Sequence, residues 1–404
     1  MVMAWETILK TIDNPFCSMD LRIEALETIL SKNILFPNLN NLRSDHTIDL
    51  HIHTNYSDGF WTPTGMFLEA YKKGMNLISL TDHDCFNGIE EAFLARDLIY
   101  KVTGKIISFI PGVEFSTNYK TKDGKVKEIH ILGYFPSKDF KEFRSYLERF
   151  DIYDQAYLDA FQKCRILRIY EMVKKFNKEM PSKIGGDLLK LAEIQEPISY
   201  KTAKRGMRGS VSPGRLLTCT GIYEIYSLYK AGRIDEITDE HFSKAYLDKL
   251  VDFIKPYDSP LILMYKFFGN HKPTAKVGYI GKTEDPKWAV NLIKKMGGIP
   301  ILAHPLLYFD LFRDLVEELY PIGLHGIELI WSDSTHNDIN QIKDMENFIK
   351  KNFSDLLITA GSDCHGHSID GHINYTPDNI MGLSSKLNGL LTQYHKQIMD
   401  FFRQ

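Results

Sequence analysis

The sequence lacks any long apolar run. No window approaches the roughly 18 uninterrupted apolar residues that a membrane-spanning helix needs. The opening segment mixes Glu6, Lys10, Asp13 and Asp20 with apolar residues and has no small-residue cleavage site, so it does not have the pattern of a signal peptide. These absences predict a protein that neither crosses a membrane nor carries a secretory signal.

Cysteine is also scarce. The five cysteines are odd in number, widely separated and never arranged as C-x-x-C, which argues against a disulfide framework and against a zinc knuckle. Scattered thiols of this kind are typical of reduced cysteines in the cytoplasm. We therefore expect a cytoplasmic protein.

An excess of charge of either sign is missing as well. The 49 basic and 52 acidic residues give a formal net charge of −3, so no overall field attracts nucleic acid or an acidic membrane. Binding to duplex nucleic acid is not expected, although the net charge does not exclude a local basic pocket. The sequence also contains neither a Walker loop nor a Gly-x-Ser-x-Gly elbow.

The order of predicted elements divides the chain into five parts. Residues 1–45 have helical, amphipathic spacing and form an N-terminal extension. Residues 46–136 and 286–385 alternate short apolar runs with helical stretches, the pattern of parallel strands with crossover helices. Between them, residues 137–285 are helical and aromatic-rich and form an inserted subdomain. Residues 386–404 form a C-terminal helix.

The apolar runs number seven, which favours a barrel-like α/β domain over a sandwich. They lie at residues 47–54, 77–83, 106–114, 128–135, 298–304, 326–330 and 356–363.

Histidines and carboxylates cluster at or just beyond the ends of these runs. In parallel α/β barrels the C-terminal strand ends form one face, so residues far apart in sequence meet there. Cys364 lies among them, but strand alternation turns it away and we interpret it as a core residue. The nine candidate metal ligands are His51, His53, Asp58, His83, Glu114, His130, His304, Asp363 and His365.

The residue types of this set predict a metal centre. A spacing of two places His51 and His53 on the same side of a strand, and imidazole with carboxylate suits zinc, manganese or iron. Nine ligands exceed the three or four that one zinc-type site takes, so two or three ions are expected. Three divalent ions against three carboxylates leave about +3, which favours a phosphate-containing substrate.

Six segments around these residues form a recognisable series. They are His51-Ile-His-Thr-Asn-Tyr-Ser-Asp-Gly59, Leu80-Thr-Asp-His-Asp84, Pro111-Gly-Val-Glu-Phe-Ser116, Glu128-Ile-His-Ile-Leu-Gly133, Ala303-His-Pro305 and Gly361-Ser-Asp-Cys-His-Gly366. In sequence and order they resemble the PHP family, named for its polymerase and histidinol phosphatase members. The resemblance covers about residues 46–136 and 286–367.

The resemblance implies a distorted seven-stranded (β/α)7 barrel with a trinuclear metal centre. By position, the first metal takes His51, His53, Glu114 and Asp363. The second shares Glu114 and adds His130 and His304, and the third takes Asp58, His83 and His365. Among family members the sequence is most similar to phosphatases of nucleoside 3′,5′-bisphosphates that also trim short oligoribonucleotides. Its insertion looks longer and lacks the arginine-containing motif expected there.

We therefore predict a metal-dependent phosphoesterase that hydrolyses a small phosphate monoester, a nucleoside 3′,5′-bisphosphate or a short oligonucleotide. Water activated by the metals attacks the phosphorus directly. Histidinol phosphatase is the alternative within enzymes. A metal-binding module without catalysis, supporting a partner, is the alternative of another class.

Other contacts rest on weaker patterns. The basic stretch 201–215 supplies Arg205, Arg208 and Arg215, which could bind a substrate phosphate, although a solvated loop is the simpler interpretation. Arg215 is the preferred candidate because it follows a Ser-Pro-Gly turn. Asp82 either accepts a hydrogen bond from a neighbouring imidazole or caps the following helix.

Overall fold

The computed structural model describes residues 8–9, 11–13, 17–32, 48–57, 59, 61–149, 252, 255, 284–331, 338–366, 381 and 388–402. Four of the predicted site residues, Asp58, Arg205, Arg208 and Arg215, lie outside the described residues. Almost all of the predicted insertion 137–285 does as well, so its helical character stays a prediction.

Seven strands form one sheet whose spatial order follows the chain. The neighbouring pairs β1–β2, β2–β3, β5–β6 and β6–β7 are parallel. The strands are β1 (Ile48–Asp49), β2 (Leu77–Leu80), β3 (Ser108–Lys120), β4 (Val126–Tyr134), β5 (Ile299–Leu302), β6 (Gly326–Trp331) and β7 (Leu357–Gly361).

The first and last strands meet and close the sheet. The Leu50 amide donates to the Ala360 carbonyl at 3.0 Å, and the His53 amide donates to the Cys364 carbonyl at 2.8 Å. Ile52 and Cys364 form a parallel bridge between these segments. The predicted seven-stranded barrel is confirmed, with β1 shorter than the apolar run suggested.

The prediction that all strands are parallel is wrong for β4. This strand runs antiparallel to both of its neighbours, β3 and β5. Residues 121–125 connect β3 to β4 in a tight turn with Gly124 at φ +83°. A parallel connection needs about a dozen residues or more, so this turn permits only a hairpin. The distortion of the barrel originates here.

Helices cover the outside of the barrel, and local capping sets several of their ends. Thr62 accepts a hydrogen bond from the Gly65 amide and precedes Pro63, a residue type that is favoured at the first helical position. In a later helix, the Asp285 side chain caps the start and Gly297, in the left-handed conformation, marks the end. The described helices are α1 (Met19–Ser31), α2 (Pro63–Lys72), α3 (Ile89–Thr103), α4 (Phe140–Leu147), α5 (Pro286–Met296), α6 (Phe312–Leu319), α7 (Ile339–Asn352) and α8 (Asn388–Phe402).

The core lies between the strands and these helices, and it includes part of the N-terminal extension. Leu26 and Ile29 of α1 are buried in the same apolar cluster as Phe67 and Phe93. Helix α1 packs mainly on α3. Among the residues that the structure describes, no helix is both long and apolar enough to cross a membrane.

Candidate metal centre

His51 and His53 start the site where β1 meets β7. Their Nε2 atoms lie 3.1 Å apart, as the strand-type spacing predicted. Both side chains are fully buried. Because two ring nitrogens point at one place, the pair presents lone pairs to a shared position rather than to solvent.

Glu114 lies at the centre of the site, inside β3, and is almost fully buried. One oxygen, Oε2, lies 3.3 Å from His51 Nε2, 3.2 Å from His53 Nε2 and 3.2 Å from His83 Nδ1. The other, Oε1, lies 2.8 Å from His130 Nδ1 and 2.9 Å from His304 Nε2. A single carboxylate thus joins two groups of imidazoles.

His130 reaches this place from the middle of β4. It is the fifth of the nine residues of that strand and pairs with Ser116 in the antiparallel hairpin. The prediction that it lies at the end of a strand is therefore wrong, but its imidazole does join the predicted cluster, with Nδ1 2.8 Å from Glu114 Oε1.

Asp363 supplies the second carboxylate, directly after β7. Its Oδ1 lies 3.1 Å from His53 Nε2 and 3.5 Å from His51 Nε2. The rings of His365 and His83 flank that of His53, with centroids 4.5 and 4.6 Å away. The structure therefore brings eight of the nine predicted ligands together, and the ninth, Asp58, lies outside the described residues.

Backbone conformation at the rim is unusual. Asp84, His304 and Asp363 have φ values of +52°, +25° and +55°, and among the described residues no other non-glycine residue has a positive φ. Such conformations cost about 1–3 kcal/mol each and persist only where the surroundings impose them. All three occur at strand ends around the imidazole cluster.

Glu328 is a site residue that the sequence reasoning missed. It lies in β6, is fully buried, and its two oxygens lie 3.0 and 3.1 Å from His51 Nδ1. The same carboxylate accepts a hydrogen bond from the His304 amide at 2.9 Å. An acceptor at Nδ1 fixes the ring and leaves Nε2 as the atom that binds a cation. The available signal was a single carboxylate within an otherwise apolar run.

Asp82 takes neither of the two predicted roles in the form expected. It does not cap α3, whose N-terminal residue Gly88 has no side-chain cap. It accepts hydrogen bonds from the Thr54 amide at 2.7 Å, from the Thr54 hydroxyl and from Ser57 Oγ. Ser57 Oγ in turn lies 3.3 Å from His53 Nδ1. Asp82 therefore holds the loop that places Ser57 next to His53.

The electrostatics of the cluster favour ionised carboxylates. Burial raises the pKa of Glu114, but His130, His51 and His83 lower it by more, so the pKa lies well below its usual value. For Asp363, His51 and His53 likewise outweigh the effect of burial and lower the pKa. Negative charge is thereby kept in a buried pocket.

The donor set fits divalent cations. Three groups in the described part of the chain have ligand atoms that all lie within 4.8 Å of one another. Imidazole and carboxylate ligands of this kind suit zinc, manganese or iron. Buried Cys364 belongs to none of these three groups, as predicted for a core residue. The groups are His51, His53, Glu114 and Asp363; His83, Glu114 and His130; and His53, His83 and His365.

The grouping differs in detail from that implied by the resemblance. The first predicted set recurs unchanged, whereas His83 approaches Glu114 as well as His365. His304 lies 3.2 Å from His130 Nδ1 and 2.9 Å from Glu114, which keeps the second predicted set close together.

Comparisons with known proteins are consistent with this geometry. The family model described as PHP domain matches residues 49–190. A 5′-3′ exoribonuclease of Haemophilus influenzae is 27% identical over 78% of this chain and 89% of its own length. A 3′,5′-nucleoside bisphosphate phosphatase of Chromobacterium violaceum is 37% identical over 21% of this chain and 26% of its own length. A phosphoribosyl 1,2-cyclic phosphate 1,2-diphosphodiesterase of Eggerthella lenta is 25% identical over 79% of this chain and 94% of its own length.

Proposed function

The chain belongs to the PHP domain family, and from that premise we propose that it is a metal-dependent phosphoesterase. One observation carries the proposal. The Glu114 carboxylate contacts imidazoles through both of its oxygens, and a second carboxylate, Asp363, lies beside the same imidazoles. A carboxylate placed between two groups of imidazoles would take part in holding two divalent cations, and two-metal sites are a common means of phosphoester hydrolysis.

Two or three divalent ions, of manganese, zinc or iron, would be held by the chain. His51, His53, Glu114 and Asp363 would hold the first. Bound divalent cations supply positive charge for the phosphoryl oxygens and lower the pKa of water toward about 7. The second ion would take Glu114, His130 and His304, and the third Asp58, His83 and His365.

The protein's own groups determine how this chemistry is arranged. Glu328 holds the His51 ring by Nδ1 and the strained backbone at His304 by its amide, so two ligands are fixed before a cation binds. Ionised Glu114 and Asp363 would attract cations to the pocket. The bound cations would supply the positive charge that favours a phosphate group as the substrate. Hydrolysis joins the water oxygen to phosphorus and breaks the ester P–O bond, and the proton that the water gives up is taken by the leaving alcohol.

The substrate we propose is a nucleoside 3′,5′-bisphosphate or a short oligonucleotide. Support comes from the named activities of the Haemophilus and Chromobacterium relatives. The Eggerthella relative favours a cyclic sugar phosphate as the second candidate. Arg205, Arg208 or Arg215 would contact a phosphate beyond the metals, with Arg215 the first to be changed to alanine.

The experiment is a substrate panel with manganese-loaded protein. It contains adenosine 3′,5′-bisphosphate, a 5′-phosphorylated oligoribonucleotide, phosphoribosyl 1,2-cyclic phosphate and histidinol phosphate. We expect turnover of the first two and loss of at least about 100-fold in His83→Ala, which removes a ligand but no core packing. The exposed Lys101→Ala variant serves as the matched control.

Each other outcome of the panel has a defined meaning. Turnover of the cyclic phosphate alone would transfer the assignment to the second candidate. Turnover of histidinol phosphate alone would identify a histidinol phosphatase. Metal binding with no turnover of any compound would indicate a non-catalytic module. Full activity in His83→Ala would contradict the ligand assignment itself.

A further inference from the structure

A buried carboxylate outside the metal cluster receives an unusual number of hydrogen bonds. Glu91, in the first turn of α3, is 1% exposed. Its Oε1 accepts from Arg22 Nε at 2.9 Å, from the Thr64 hydroxyl at 2.7 Å and from the Thr64 amide at 3.2 Å. Its Oε2 accepts from Arg22 Nη2 and, at 3.4 Å, from the Tyr56 hydroxyl. All of these donors are thereby directed at one carboxylate.

This ion pair joins three parts of the chain that are distant in sequence. Arg22 lies in the N-terminal helix α1, Thr64 at the start of α2, and Tyr56 in the loop between β1 and α2. Both charges are 1% exposed. Buried ion pairs add little stability compared with apolar residues of the same size, and their best attested effect is to fix one geometry. The geometry fixed here includes the loop at Tyr56.

That loop leads directly into the metal cluster. Ser57 follows Tyr56, donates to Asp82 and lies 3.3 Å from His53 Nδ1. The Tyr56 carbonyl is contacted by Cys85 Sγ at 3.4 Å. The contacts therefore run without a gap from Arg22 through Glu91, Tyr56 and Ser57 to His53, a member of two of the three ligand groups.

The N-terminal segment also holds the far end of the same loop. The Thr62 amide donates to Asp13 Oδ1 at 3.1 Å, and the Thr62 hydroxyl donates to the Ile12 carbonyl at 2.6 Å. Between these anchors, the Asn55 amide donates to the Trp61 carbonyl at 2.7 Å. Residues of the extension thus restrain the loop from both sides.

We propose that the N-terminal extension is a functional part of the metal centre, with Arg22 and Glu91 as positioning residues for the loop that orients His53. The inference rests on the proposed function, because it assumes that the cluster binds metal. It assigns to the extension a role beyond covering the barrel. Loss of the ion pair would loosen the loop and weaken metal binding although no ligand is changed.

The test compares metal affinity and unfolding free energy across a set of variants. Arg22→Met and the near-isosteric Tyr56→Phe both break the path from α1 to the loop, whereas Leu26→Ala weakens the packing of α1 and leaves the path intact. Lys101→Ala removes an exposed ion pair between α3 and Glu27 of α1. Manganese and zinc affinity are measured by calorimetry on the metal-free full chain, and unfolding is measured by urea titration.

We expect about 10-fold weaker metal binding in Arg22→Met, the lower end of what loss of a ligand-orienting group costs. Tyr56→Phe should show a smaller loss in the same direction, and Leu26→Ala and Lys101→Ala should match the wild type. Tyr56→Phe keeps the test valid if Arg22→Met fails to fold. Equal affinity in Tyr56→Phe and the wild type, or equal losses in Leu26→Ala and Arg22→Met, would overturn the inference.

Failure of the proposed function is distinguishable from failure of this inference. If the wild type binds no metal, the proposed function fails, and hydrogen exchange of residues 54–61 in the metal-free chain decides the remaining question. Faster exchange in Arg22→Met and Tyr56→Phe than in Leu26→Ala would support positioning of the loop. Equal exchange in all three would overturn it.

Discussion

Individual residues of this site are held by groups that lie outside the three candidate ligand sets. Glu328 is the clearest case, because one buried carboxylate orients the ring of His51 and fixes the backbone of His304. Replacing it with glutamine keeps the shape and removes the charge. We expect Glu328→Gln to weaken metal binding by about 10–100-fold with the fold retained, as measured by metal titration of the dialysed protein.

The matched control for Glu328 is Thr359→Val. Thr359 is also fully buried and pairs with Glu328 across the β6–β7 register, but its hydroxyl is 3.5 Å from the Ile327 carbonyl rather than next to a histidine. It should bind metal as the wild type does. A loss of metal affinity of the same size in both variants would mean that disturbed strand packing causes the effect.

Asp13 provides a prediction about pH that is independent of the metal cluster. Burial raises its pKa from 3.8 to about 7, so the folded protein holds a proton that the unfolded chain releases. Stability therefore falls as the pH rises from about 4 through 7. In Asp13→Asn this loss is absent, while the amide oxygen can still accept from Thr62.

Urea unfolding of the wild type and Asp13→Asn at pH 5 and pH 8 measures this effect. Relative to the wild type, the variant should gain about 1–2 kcal/mol of unfolding free energy between pH 5 and pH 8. This gain is smaller than the full shift of the Asp13 pKa implies because the side chain is only partly buried. Other titrating groups act equally in both proteins and cancel. A constant difference across the range would contradict the raised pKa.

At the scale of elements, periodicity predicted the strands well but could not give the direction of one of them. An apolar run has the same composition in either direction, so the reversal of β4 had to be inferred from its connection. The signal was present in the short turn at residues 121–125 with Gly124. Spacing placed His51 and His53 together because strand alternation is local, whereas the contact of Glu328 with His51 spans 277 residues.

The junction of β1 and β7 depends on a glycine. A Cβ atom on Gly361 would overlap Cβ of His51 and Oε1 of Glu328. Overpacking of this kind costs about 1–3 kcal/mol, and here the displaced groups belong to the site. We expect Gly361→Ala to lower both the free energy of unfolding and the metal affinity.

Gly104→Ala is the control for that substitution. Gly104 ends α3 at φ +73°, and no atom lies within 4 Å of the place that a Cβ atom would occupy, so alanine there costs about 1–2 kcal/mol of backbone strain alone. Metal affinity should be unchanged, as measured by the same titration. If Gly361→Ala lost stability without losing affinity, the close approach at the junction would have no bearing on the site.

Across the whole molecule, the cluster exists only when the barrel is closed. The residues that meet there range from His51 to His365, and the bonds between β1 and β7 bring the two ends of the series together. The sequence could predict this convergence because a barrel gathers strand ends at a rim. It could not predict the support from the N-terminal helix, since nothing in amphipathic spacing identifies the partner of a buried arginine.

Metal removal should therefore affect the stability of the whole fold. A cation that binds only the closed barrel stabilises it by about 2.7 kcal/mol when present at 100 times its dissociation constant. We expect the Tm of the chelator-treated chain to rise on addition of manganese or zinc, and to rise less in His83→Ala, which lacks a ligand of two groups. Lys101→Ala should respond as the wild type does. Identical Tm values with and without metal would mean that the cluster does not link cation binding to closure of the barrel.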